Sequence, residues 1–446
     1  MKNKSIFFSV IFLLFGKLSF SQNNILSLKQ CIDFALENTN NIKAIKADSD
    51  IEVLKTDALK LDYWPQVSLA YEYRYNPIIR TNILPIGAFS TIPTKETRAV
   101  KFGTNFQQTA GLAVLQPLFD ATISSKIKES KILEKIKKID IKIAEEALVY
   151  EVTKSYINLM LLQKQIKISE IDTSRTWKTL QFSITKFESG TILKIEVNNA
   201  TINHNNALAV FTNDIKNLVN ENIYLSFLIG KKYDGFSIQD NDVKLDINLV
   251  NKKAAVGYNP SLEKLATQNL FLDQEISTQN KKTLPTVSAN GYLAADQFAD
   301  QLNPFLKNSW YANSYIGFNV KWDLFNAKNI ANKKSQLIQE KKSNDFKIKE
   351  ILEEVEKDNR IAENEIVQLK TETDNLNSNE NLYKDNLRII ELRLSQGQAS
   401  INDVNNEEIA YQKENEKWRN SEIKFWLQWL ELVKSSGLLY QLYTNQ

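Results

Sequence analysis

Four short stretches of the chain alternate with period two. From Gln66 to Tyr75, the residues Val67, Leu69, Tyr71, Tyr73 and Tyr75 fall on one side, and Gln66, Ser68, Ala70, Glu72 and Arg74 on the other. Ten residues of such alternation predict a strand with one apolar face. Ala110, Leu112 and Val114 alternate on a second strand, which Pro117 should end. A third strand is expected from Thr286 to about Ala294. A fourth is expected from Tyr315 to Leu324, with Ile316, Phe318, Val320 and Trp322 on its apolar face. Residues 76–107 hold Pro77, Pro85 and Pro93 and predict a long loop rather than a tight hairpin.

The remaining pattern has helical period. Residues 121–188 contain neither proline nor glycine, and Ile132, Ile136, Ile139, Ile143, Ala147 and Tyr150 recur at threes and fours. At ~1.5 Å per residue this predicts a coiled-coil-like helix of roughly 100 Å. Gly190 breaks it, a second helix follows to Ile229, and Gly230 ends that one. Residues 327–396 are again free of proline and glycine, Gly397 breaks the run, and a helix returns from Ile401 to about Ser436. A further helical segment precedes the first strand, with Ser27 as its N-cap and an interruption at Asn38-Thr39-Asn40. Near the C-terminus, Trp418, Phe425, Trp426 and Trp429 are expected to pack on a neighbouring helix.

The order strand, strand, long helix, glycine, shorter helix thus occurs twice. Phe119 and Phe325 are 206 residues apart, and Gly190 and Gly397 are 207 apart. One structural unit is used twice. The fold class is mainly α with membrane β: a duplicated unit with long helices and four strands per protomer. The predicted segments are an N-terminal helical region over 22–64 and two strands with their loop over 65–120. A helical hairpin over 121–230 and a mixed α/β patch over 231–259 follow. The second unit has a helix over 260–284, two strands over 285–326 and a second hairpin with the C-terminal segment over 327–446.

Composition narrows the function. Residues 1–21 read as a secretory signal peptide, with Lys2 and Lys4 before the apolar run from Ile6 to Phe15 and small residues at Ser19 and Ser21. The run is shorter than the ~20 residues of a spanning helix. No later segment is apolar enough, so a membrane span in the mature chain must be β. Net charge is +3 with 24% charged residues spread along the chain, which gives no basic block for nucleic acid. Cys31 is the single cysteine and reads as a core residue, and His204 is the single histidine. With one of each, no catalytic triad, metal cluster or phosphate loop is expected. The chain is read as a non-enzyme without cofactor or metal. A secreted structural coiled coil would explain the helices, but not two pairs of lipid-patterned strands between them. Four strands cannot close a barrel, and open edges cannot sit in lipid, so several copies must pool their strands.

The chain resembles the TolC-like outer-membrane channels of efflux and type I secretion systems. The residues that carry the resemblance are Leu28-Lys29-Gln30-Cys31-Ile32-Asp33-Phe34-Ala35-Leu36-Glu37-Asn38, Trp64-Pro65-Gln66, Gln116-Pro117-Leu118-Phe119-Asp120 and the turns at Gly190 and Gly397. The match runs through nearly the whole mature chain in both repeats. It implies a homotrimer with a 12-stranded barrel in outer-membrane lipid and a helical tunnel in the periplasm of a Gram-negative bacterium. It further implies a passive exit duct for small molecules, served by a periplasmic adaptor (membrane fusion) protein and an inner-membrane transporter. Export of proteins by the type I route is the alternative within the family. By the same resemblance, Gly190, Thr191, Gly397 and Gln398 would be hairpin tips that dock the adaptor. Glu196 and Asp403, each six residues past its glycine, would ring the periplasmic aperture. Ordinary helix N-terminal acids are the competing reading of that pair. The chain departs from the family at Asn406, Ala399 and Asn41, where some members carry an acid, an arginine and a proline. The lipid-facing set would be Val67, Leu69, Tyr71, Tyr73, Leu112, Val114, Phe318, Val320 and Trp322.

Overall fold

A computed structural model describes residues 25–85, 96–232, 236–239, 258–305 and 309–439. The expected signal peptide, the middle of the long loop (Ser90 included) and most of the 231–259 patch lie outside the described residues. In chain order the elements are β1 (Ile25–Leu26), α1 (Leu28–Asn38), α2 (Asn40–Leu61), β2 (Gln66–Tyr75), β3 (Thr81–Pro85), β4 (Thr97–Lys101) and β5 (Phe106–Phe119). They continue with α3 (Ala121–Glu188), α4 (Lys194–Leu228), β6 (Ser237–Ile238), α5 (Pro260–Lys281), β7 (Thr286–Ala299), β8 (Trp310–Lys321), α6 (Ala327–Ser395) and α7 (Ile401–Ser435). The duplication is visible in the lengths: α3 has 68 residues and α6 69, while α4 and α7 have 35 each. Among the described residues no helix is long and apolar enough to cross a membrane.

The chain divides into two compact units, one of residues up to Ala47 with Lys138–Lys264 and Lys347–Gln446, the other of Asp48–Lys137 and Leu265–Phe346. The second unit holds a four-stranded antiparallel sheet in the order β2-β5-β7-β8. β2 keeps the bounds that the alternation predicted, β5 and β7 run beyond theirs, and β8 starts earlier but stops at Lys321, short of the expected end at Leu324. β5 begins at Phe106 and runs through Pro117 to Phe119, with the register shifting between Pro117 and Phe119. A proline gives the ladder no N–H, and this local irregularity lets the strand pass it. β7 extends to Ala299 and β8 starts at Trp310. The predicted long loop carries its own hairpin, β3 against β4. The helical parts of this unit are joined by small polar contacts. Thr56 and Ser130 lie 2.7 Å apart through their hydroxyls, and Thr278 donates to Ser125 at 2.8 Å.

The other unit holds the main apolar core. Ser27 caps α1: its Oγ accepts from the Gln30 N–H, and the Gln30 side chain accepts from the Ser27 N–H at 3.0 Å. Leu26 belongs to β1, which pairs in parallel with β6. Cys31 is fully buried beside Ile32 and Ala35, among Tyr156, Leu159 and Met160 of α3 and Trp429 and Leu430 of α7. The Tyr156 hydroxyl reaches the carbonyls of Leu26 and Gln239 at 3.1 and 3.2 Å, so the β pair is anchored to α3. Of the C-terminal aromatics, Phe425, Trp426 and Trp429 are core, with Trp426 and Trp429 edge to face at 6.0 Å, whereas Trp418 is half-buried and outside that core.

Candidate pore faces and hairpin tips

The sheet register decides which side chains share a face. Val67 stands opposite Val114, which stands opposite Gly291, which stands opposite Ile316. The next row is Leu69, Leu112, Leu293 and Ser314, and the one after is Tyr71, Ala110, Ala295 and Ala312. Phe318 and Val320 keep the parity of Ile316, so all the strand residues expected to be apolar-facing lie on one side. Leu69 is 82% exposed and Ile316 90%, although both are aliphatic. Trp322 stands just past the last ladder residue, and its indole N–H donates to the Thr283 carbonyl at 3.0 Å. On the same face Gln108 and Gln297 are buried, joined at 2.7 Å, and completed by the Tyr71 hydroxyl and the Ser309 hydroxyl. The opposite face carries Gln66, Ser68, Glu72 and Arg74 on β2, then Tyr292, Asp296, Tyr311 and Tyr315 on β7 and β8. Both outer edges, β2 and β8, lack a strand partner among the described residues.

The two glycine turns have the same backbone. Gly190 has φ +73° and Gly397 φ +74°, the left-handed region that favours glycine. At the first tip, Gly190 N–H donates to the Phe187 carbonyl at 2.9 Å and Thr191 N–H to Lys186 at 2.9 Å. At the second, Gly397 N–H donates to Leu394 at 3.0 Å and Gln398 N–H to Arg393 at 2.8 Å. This is the Schellman arrangement, which satisfies carbonyls left open at a helix end. Thr191 and Gln398 therefore both occupy the residue just past the left-handed glycine.

Glu196 and Asp403 both sit in the first turn of the returning helix. The Glu196 carboxylate accepts from the Leu193 N–H at 2.9 Å. The Asp403 carboxylate accepts from the Ser400 N–H and hydroxyl, each at 2.8 Å, while Ser400 Oγ accepts from the Asp403 N–H at 3.2 Å. Those bonds to Ser400 hold the exposed Asp403 carboxyl below the usual aspartate range. The two tips adjoin: Asn402 Nδ2 donates to Glu196 Oε1 at 3.4 Å.

Higher in the same unit lies a cluster that sequence reading did not single out. Arg175 of α3 donates from Nε and Nη2 to the two Glu408 oxygens of α7 at 3.0 and 2.8 Å, and meets Asp172 at 2.9 Å. Its guanidinium lies 4.8 Å from the Tyr411 ring centre, and Glu391 of α6 is 3.9 Å away. Burial pushes the Asp172 carboxyl up to about 6, with Arg175 opposing the shift. Beside it, the buried Asn203 donates to Asn405 at 3.0 Å. His204 lies against Trp177, ring centres 5.2 Å apart, with Thr176 Oγ1 3.3 Å from its Nδ1. Among the described residues no group of three metal-binding side chains occurs.

Solved structures share this architecture over nearly the full chain. The Campylobacter jejuni CmeC outer membrane channel superposes with a TM-score of 0.67 at 16% identity, over 95% of this chain and 90% of that one. The outer membrane protein VceC of Vibrio cholerae gives 0.68 at 14%, over 92% and 96%. The open state of the Neisseria gonorrhoeae MtrE outer membrane channel gives 0.64 at 13%, over 92% and 89%.

The chain has the TolC-like fold.

No protein-family model and no curated protein matches the sequence. At these identities the likeness lies in the backbone. The clearest departure within the repeat is Arg175: the position 207 residues later is Leu382, which is exposed.

Proposed function

We propose that this protein is the outer-membrane channel of a tripartite export pump. Three copies pool their sheets into a 12-stranded barrel in a Gram-negative outer membrane, with the helical hairpins in the periplasm. The single observation that carries the reading is the sheet of the second unit. It presents consecutive exposed aliphatic rows on one face, polar and tyrosine-bearing rows on the other, and two edges without a strand partner among the described residues. Lipid on the first face and further copies at the edges satisfy all three features. Strands of 10 to 14 residues suit the ~9–11 needed to cross when tilted. Trp64 and Trp322, both exposed, flank the aliphatic rows at one end, and Tyr73 and Tyr75 at the other, as interfacial aromatics do.

In this reading a periplasmic adaptor docks on the Gly190-Thr191 and Gly397-Gln398 turns, and an inner-membrane transporter supplies the energy. Glu196 and Asp403, multiplied by the copy number, form carboxylate rings at the inner opening and favour cations there. The cargo is small molecules. Leu69→Arg tests the lipid face. It should cost about 2–4 kcal/mol near the midplane and abolish trimer recovery from membranes. Normal assembly together with free labelling of that position from water would end the proposal. Crosslinkers at Thr191 and Gln398 should capture the adaptor. The pair Glu196→Gln, Asp403→Asn should weaken cation preference and divalent block in planar bilayers without changing trimer yield.

A further inference from the structure

The two repeats pair their strands in one register. Pro65 lies 220 residues before Pro285, and Phe119 lies 206 before Phe325. With those offsets the partners Gln66 and Leu115 become Thr286 and Lys321, and Val67 and Val114 become Val287 and Val320. All four pairs are ladder partners. The sheet also contains the joint between repeats, β5 against β7, with Gly111 opposite Ala294 and Ala113 opposite Tyr292. The same offsets turn that joint into one between β8 of one copy and β2 of the next. There Gly317 stands opposite Arg74, and Asn319 opposite Glu72.

Gly111 is crowded by its neighbours within one copy. A Cβ there would stand 2.8 Å from that of Ala294 and 3.0 Å from the Tyr292 hydroxyl. The Tyr292 side chain therefore leans along the ladder, from its own partner Ala113 onto Gly111. Gly317 has no such neighbour in its own copy, since a Cβ there would meet nothing within 4 Å. The transposed joint supplies one. Arg74 of the next copy takes the place of Ala294, and Glu72 that of Tyr292. The same lean carries the Glu72 carboxylate over Gly317 and the Arg74 side chain toward Tyr315, two residues along β8, a diagonal that long side chains span. Tyr315 is exposed, with its ring already stacked on Tyr292 at 5.4 Å. Arg74 donates to Glu72 at 2.6 Å, so the two arrive as one unit without net charge.

We infer that the Glu72–Arg74 pair of each copy seats on Gly317 and Tyr315 of the next, and that this fit fixes the register in which copies join. Gly317 gives the pair room, and the Tyr315 face takes the guanidinium as a cation–π contact. The aliphatic face cannot make that choice, because a slip by two residues keeps it outward. Such a slip sets Arg74 opposite Asn319 or Tyr315, where a Cβ fills the place that Gly317 leaves open. The inference rests on the barrel reading above and names the contact by which one copy recognises the next.

The test uses the full-length chain in membranes, with cysteine pairs read as disulfide-linked copies. Ala70→Cys with Lys321→Cys are opposite each other in the inferred register, and Ala70→Cys with Asn319→Cys only after a slip by two. The first pair should link copies and the second should not. Single changes, which keep the buried Cys31, give the background. Arg74→Ala should weaken each seam about three- to tenfold, read as the trimer fraction on dilution in detergent. Gly317→Val, whose side chain meets no neighbour in a lone copy, should weaken it at least as much. In both variants the second cysteine pair should begin to link. Trimers as persistent in either variant as in the wild type, or trimers that the first cysteine pair does not link, would overturn the seat and leave the barrel standing. A wild-type chain that stays monomeric in membranes would overturn the barrel reading and the seat with it.

Discussion

At the first hairpin tip the chain re-enters helix at Leu193, whose side chain offers no acceptor, and only the Glu196 carboxylate closes the turn. At the second tip Ser400 and Asp403 close it reciprocally. The left-handed glycines before them differ by one degree. Further up the hairpins the contrast widens: α3 carries Arg175 into a pocket of carboxylates, and α6 carries the exposed Leu382 at the matching place. The backbone of a duplicated unit is thus held by a few conformational requirements, chiefly glycine where φ is positive. The chemistry around those points is free to diverge. Four predictions bear on that contrast.

The largest effect is expected at Arg175. Removing it leaves Glu408 and Asp172 buried without their counter-charge, so Arg175→Ala should destabilise the chain by about 3–5 kcal/mol in thermal or denaturant unfolding. A loss below 1 kcal/mol would mean the cluster is only decorative. Asp172 gives the next effect, through pH. Its folded-state value of about 6 lies above the ordinary aspartate value. Its contribution is therefore fully present below about pH 4 and is lost as pH rises through 6. Stability should fall by up to about 3 kcal/mol across that window, and Asp172→Asn should flatten the dependence. A wild-type profile as flat as that of the variant would refute the assignment.

The glycines come third. Gly190→Ala and Gly397→Ala meet no neighbour within 4 Å, so only backbone strain should count, about 1–2 kcal/mol each and nearly equal. Gly230→Ala should cost more, since its Cβ would stand 2.8 Å from that of Asn38. Equal costs at all three would break the claim that the tips are sterically open. The smallest effects sharpen the capping contrast. Ser400→Ala should lose about 1 kcal/mol, and Leu193→Ser should gain a similar amount by supplying the missing acceptor. Ser400→Ala should also let the Asp403 carboxyl rise toward its ordinary range, which titration by NMR reads directly.

Much of the fold was legible in the chain because its signals are local. The absence of proline and glycine over residues 121–188 and 327–396 foretold α3 and α6, and the lone glycines foretold the turns. The alternation at Val67, Leu69 and Tyr71 foretold one apolar face, and the register joined the other strands to it. The β3–β4 hairpin was hidden, since Thr81–Pro85 and Thr97–Lys101 lack alternation of apolar residues. The end of β5 was misplaced because a proline usually stops a strand, and here a register shift carries the strand past it. The Arg175 cluster had only a faint local trace, Asp172 one turn before Arg175. Its principal partner Glu408 lies 233 residues away, and no periodicity announces such a pair.

The bare edges of β2 and β8 set the terms on which this chain can exist. Among the described residues a lone copy presents two strand edges without a partner beside an oily face, which is the state that proteases and aggregation select against. Under the barrel reading, closure consumes both edges at once, so survival is a collective property. The apparent melting temperature should climb with protein concentration, and copies made too slowly to meet should be degraded rather than stored.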